Sequence, residues 1–192
     1  PAYGEPAITM IGHETTVDDP DLPGLGFVLL EDGAQDGRSS RIKLAREKIS
    51  QSEAKAHLPV MTRSKAGHFL MGLLGKPTEK VYVNEAIYAF TPEALTDVVQ
   101  SYSQMTSDGQ EELYKRYGLN WFEDLFEAAT STLEEYVKHN FARFSKTANQ
   151  NPAENEKIPN NMIRRDMQKI QEIARGLTDR WQLGFLSTGK VH

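Results

Sequence analysis

The sequence predicts a mainly α fold: five or six helices with a minor β component in the N-terminal 90 residues of a 192-residue chain. Three observations carry this. Apolar residues at Phe122, Leu125, Phe126, Ala129, Leu133, Tyr136, Val137, Phe141 and Phe144 recur at spacings of three and four, the period of one helix face. Ile163, Met167, Ile170, Ala174, Leu177 and Trp181 do the same in alternating steps of four and three. Strand-like runs are short and confined to residues 7–30 and 80–90.

In chain order, residues 7–11 and 25–30 are strand candidates, separated by DDPDLPG, whose prolines deny both helix and central strand. Residues 31–37, with two Asp-Gly pairs, form a second turn-rich connection. Residues 38–57 match a basic amphipathic helix opened by Ser39 or Ser40, with Ile42, Ala45 and Ile49 on its stripe; Pro59 stops it. Residues 64–75 form a shorter segment, apolar nearly all round. Residues 80–90 are rich in Val, Tyr, Ile and Phe and suggest one or two short strands, with a helix as the alternative over Asn84 to Tyr88. Thr91 and Pro92 open a helix with Leu95, Val98, Val99, Tyr102 and Met105 on one face. Another runs from Ser107 to Gly118.

Asn120 then caps the longest helix, about seven turns reaching Phe144, with Glu123, Asp124 and Glu127 in opening turns where the helix dipole favours anions. The composition changes at residues 146–161, polar and rich in Asn. The organisation expected is therefore a mainly helical domain over 1–146 with an acidic, partly stranded N-terminal region, a polar tether at 147–161, and a docking helix with its tail over 162–192.

Composition excludes several classes of function. With no cysteine there is no disulfide, iron–sulfur cluster, thiolate zinc site or cysteine nucleophile. No apolar run reaches the roughly 18 residues of a membrane span, and the opening residues lack the layout of a signal peptide, so a soluble protein is expected, placed in the cytoplasm, or in the virion or host cytoplasm if viral. Gly184, Gly189 and Lys190 fall at phosphate-loop spacing, but Val191 stands where the metal-binding hydroxyl belongs. None of the five histidines stands at the i, i+4 spacing of a helical metal site, and no cofactor or metal is expected. A hydrolase would need His13, Glu14 or His68 to converge in one pocket.

Charge is the remaining signal. The net charge of −5 divides into blocks: −8 over residues 1–37, +6 over 38–65, −8 over 66–137 and +5 over 138–192. Such blocks can satisfy one another within a fold, attract neighbouring subunits, or meet a polyanion. The polyanion candidates are Arg41, Lys43, Arg46 and Lys48 on the first basic stretch and Arg164, Arg165, Lys169 and Arg175 on the last helix; a solvated face is the plainer account of each. The C-terminal seam of Ile163, Met167, Ile170, Ala174, Leu177 and Trp181 must dock, either on its own domain or on another subunit.

The functional expectation is a non-enzymatic binding or assembly protein. It would self-associate through that helix and the complementary charge blocks, in the manner of viral or phage structural proteins, and would touch nucleic acid. The alternative is a monomeric regulatory or adaptor protein that binds one protein partner.

Overall fold

A computed structural model describes residues 7–31, 39–57, 80–150 and 157–190. The predicted segment 64–75, with His68, lies outside them, as does most of the turn at 31–37.

Five strands, β1 (Ile8–Thr16), β2 (Gly26–Leu30), β3 (Ser40–Glu47), β4 (Lys80–Phe90) and β5 (Leu183–Lys190), close into a barrel in the order β1-β4-β2-β3-β5. The expectation of a mainly α fold with strands only in the first 90 residues is therefore corrected. The barrel is a full half of the architecture, and its closing strand comes from the end of the chain. β1 pairs antiparallel with β4 and parallel with β5, and β3 completes the ring against β5 at Ser40 and Arg41.

The stretch taken for a basic helix is β3 followed by the short α1 (Gln51–His57). Ile42 and Leu44 are buried while Arg41 and Lys43 face out, so the operative period is two. Ile42, Ala45 and Ile49 also satisfy a helical spacing, which is why the stretch reads both ways. Ser50 caps α1: Glu53 N–H donates to Ser50 Oγ at 3.3 Å, and Ser50 N–H donates to Glu53 Oε2 at 2.9 Å.

The helices form the second layer. α2 (Pro92–Tyr102) starts on Thr91, whose hydroxyl accepts from Ala94 N–H. The helix expected from Ser107 is reduced to α3 (Leu113–Tyr117). The seven-turn helix is broken in two. Its first part, α4, is π-helical over Trp121–Glu127 and continues through Ala128–Thr130. Ser131 and Thr132 are extended, and Thr132 with Glu135 forms a reciprocal capping box that starts α5 (Leu133–Ala148). The sequence spells that box within the helical run, and the continuous apolar stripe masks it.

α6 (Asn160–Arg180) packs against α4, α5 and α2. The larger apolar cluster joins these helices to Ile8, Met10, Val28, Leu30, Ile42, Tyr82, Leu183 and Phe185 of the barrel. A smaller one holds Val17, Leu22, Phe27, Leu44, Ile49, Ala54, Val81 and Val83. Tyr88 stacks on Phe126 and Phe90 leans on Trp121, which fixes α4 against the end of β4. No helix among the described residues is long and apolar enough to cross a membrane.

Candidate functional site

The C-terminal seam is filled by its own chain. Ile163, Met167, Ile170, Ala174 and Leu177 are all 0 % exposed, and Trp181 is partly buried with Nε1 donating to Asp97 at 2.7 Å. The face expected to meet another subunit is thus spent inside this one, and β5, directly after it, ties it to the barrel.

The two basic stretches do converge, at the helix break rather than in an open groove. Arg46 is buried and donates to Ser131 Oγ at 2.5 Å and to Glu135 at 3.0 Å. Arg175 donates to the Ser131 carbonyl at 2.6 Å, beside Gln171 at 2.9 Å. These side chains satisfy the polar groups that the break exposes, which removes Arg46 from any polyanion surface. Lys169 donates to the Met105 carbonyl at 3.3 Å. Arg41, Lys43 and Lys48 are exposed on or just after β3, and Arg164 and Arg165 are exposed on α6.

Arg164 and Arg165, with Lys138 of α5, border a groove of about 830 Å³ between α5 and α6. Leu133, Val137 and Phe141 supply its apolar surface, and Glu134 and Gln168 complete it. The Arg164 guanidinium lies 4.9 Å from the centre of the Phe141 ring, a cation–π contact that holds it over the floor. None of the three cations forms an ion pair among the described residues.

A second cavity, of about 270 Å³, has the opposite charge. Glu47, Lys48, Ile49 and Glu53 line it from the β3–α1 corner, and Glu123, Glu127, His139 and Asn140 from α4 and α5. The Glu127 side chain is 0 % exposed. Its Oε1 meets His139 Nδ1 at 3.0 Å, and its Oε2 has no hydrogen-bond partner among the described residues. Burial pushes the Glu127 carboxyl above the ordinary glutamate range, and His139 pulls it part of the way back. Burial raises Glu47 too, reinforced by repulsion from Glu123, and raises Glu123 against the pull of Arg143.

Asp124, beside Glu123, is a structural acid. It is 1 % exposed and accepts from Tyr136 Oη at 2.6 Å, Arg143 at 2.5 Å and Asn120 N–H at 2.8 Å. Arg143 Nε also stands 3.0 Å from Glu123 Oε2 in an ion pair that lacks hydrogen-bond alignment.

The sequence places Glu123, Asp124 and Glu127 in the opening turns of a helix, where its dipole favours anions, and shows neither the groove nor the acidic cavity. The available signal was the segment Trp121–Glu127 itself, three acids inside an otherwise apolar run. Of the hydrolase candidates, His13 Nδ1 meets Glu85 at 2.8 Å on neighbouring strands.

A closed five-stranded barrel with a helical layer, carrying a cationic groove and an acidic cavity, is the class of molecule that emerges. No family model, curated protein or solved structure matches this chain.

Proposed function

We propose that this chain is a binding and assembly protein that associates with copies of itself through complementary charge, using the outer face of α6 rather than its buried seam. The observation that carries the reading is the α5–α6 groove, apolar at Leu133, Val137 and Phe141 and rimmed by Lys138, Arg164 and Arg165. An apolar floor rewards burial, and three cations against one acid select an anionic occupant.

The matching surface is on α2. Leu95 is 42 % and Val99 53 % exposed, one turn apart on a helix that carries Glu93 and no lysine or arginine, its other acid, Asp97, being ion-paired with Arg180 of α6. Met105 and Tyr114 are further large apolar groups exposed nearby in the chain. Groove and helix share no residue, so a contact between them is heterologous and builds a ring or an open chain rather than a two-fold dimer.

Sedimentation equilibrium across the micromolar range tests this. The expected result is association that weakens with salt, monomers for Arg164→Glu/Arg165→Glu, and restored association when Glu93→Lys is added to that variant. A monomer of unchanged mass at every concentration overturns self-assembly. Arg164 over Phe141 is also an arrangement on which a nucleobase can stack. Tight, steeply salt-dependent binding of single-stranded DNA by a chain that stays monomeric would assign the cations to a polyanion instead.

A further inference from the structure

We infer that the cavity between the β3–α1 corner and α4–α5 is a binding site for a protonated primary alkylamine. Four carboxylates line it, those of Glu47, Glu53, Glu123 and Glu127, against one ammonium, that of Lys48. Arg46 is committed to Ser131 and Glu135, while Arg143 is paired with Asp124 and with Glu123, so Glu123 is already compensated and Glu47, Glu53 and Glu127 remain to face Lys48. Glu127 supplies the independent observation. It is wholly enclosed, one of its oxygens is held by His139, and the other has no partner in hydrogen-bonding geometry although the residue lines the cavity and the Asn140 amide, given to the Tyr136 carbonyl, stands near enough to favour its charged form. A buried carboxylate oxygen with nothing to accept from is costly, and a ligand that brings N–H donors relieves that cost.

The geometry chooses between kinds of cation. A metal ion needs several ligand atoms drawn within about 2.0–2.6 Å of one point. Among the described residues no three His, Asp or Glu side chains form such a group. An ammonium instead has three N–H donors and reaches oxygens spread around it at about 2.7–2.9 Å. A cavity of about 270 Å³ also leaves room for an alkyl chain beside Ile49.

Lys48 stands at the mouth with its side chain 68 % exposed and Nζ 3.8 Å from Glu47, on a residue of left-handed backbone, φ 50°. It is the resident competitor. Removing its charge should therefore tighten binding of a cationic ligand.

Titration calorimetry of the full chain with 1,4-diaminobutane, and separately with Nα-acetyl-lysine amide, tests the assignment and separates a free diamine from a lysine side chain of another protein. Saturable one-to-one binding of either is expected. Glu127→Gln should weaken it at least ten-fold and Lys48→Met should strengthen it several-fold. If Glu127→Gln does not fold, Glu47→Gln, nearer the rim, should weaken binding several-fold without a loss of thermal midpoint. Absence of saturable heat with both amines overturns the inference. So do affinities unchanged in the glutamine variants, or calcium or magnesium binding more tightly than the amines.

Discussion

Gly12 shows how little room the barrel leaves a single side chain. It sits where the β1–β4 register shifts, and a Cβ there would stand 1.9 Å from the Val83 carbonyl and 2.8 Å from the Phe185 ring. The carbonyl belongs to the backbone and cannot turn away. Gly12→Ala should cost about 3 kcal/mol, the upper end for overpacking, read as a lower urea midpoint at unchanged slope. The acids of the α2–α3 connection act through charge. Asp108 accepts from the buried Arg116 at 2.6 Å and from Thr106 at 2.7 Å. Burial tends to raise its pKa, but those hydrogen bonds outweigh it and hold it at about 2. The folded value lies below the unfolded one of about 3.9, so the stabilisation is complete above that pH and is lost as pH falls toward 2. Asp108→Asn should flatten acid denaturation in that window and lower stability at neutral pH by about 2 kcal/mol, because Arg116 retains Glu111 and loses one charged partner.

Among the elements, the break at Ser131 and Thr132 does most to shape the surface. It separates α4 from α5, and the buried side chains of Arg46 and Gln171, with the exposed Arg175, converge on Ser131. Thr132→Ala removes one half of the capping box and should cost about 1 kcal/mol by chemical denaturation. Ser131→Ala leaves an Arg46 donor without its hydroxyl and should cost more. Legibility also divides at this scale. α2 and α6 are readable because one period dominates each, and β2 because it is an apolar run bounded by turns. β1 is readable only in its first half, and β4 only as strand against a competing helix over Asn84 to Tyr88. β3 is not, since Ile42, Ala45 and Ile49 fit a helix while Ile42 and Leu44 fit a strand, and only pairing with β2 and β5 decides. β5 hides for a different reason: Gly184, Ser187, Thr188 and Gly189 dilute its apolar pattern, and its strand character comes from β1 beside it. Of the candidate site, Arg164 and Arg165 are visible as exposed cations, and Leu133, Val137 and Phe141 as members of the apolar stripe. Val137 is buried in the core as that stripe predicts and Phe141 packs against it partly buried, whereas Leu133 is exposed, so the stripe runs past the core and its excess lines the groove.

At the scale of the molecule, barrel and helices share one apolar cluster, so they should unfold together. Guanidinium denaturation followed by tryptophan fluorescence and by far-ultraviolet circular dichroism should give coincident transitions, and a separate early transition would show the layers to be independent. Ending the chain after Arg180 removes β5 and exposes the pairing edges of β1 and β3 together. That truncated chain should lose the cooperative transition and aggregate, because two strands gain unpaired backbone at once. The full chain faces the same circumstance each time it is made. Since the parallel partner of Ile8–Thr16 is Leu183–Lys190, a growing polypeptide holds the first of these strands without that neighbour until the second has emerged more than 160 residues later. Synthesis should therefore leave the barrel open over that whole interval, and factors that shield nascent β edges should raise the yield more than those acting on finished chains.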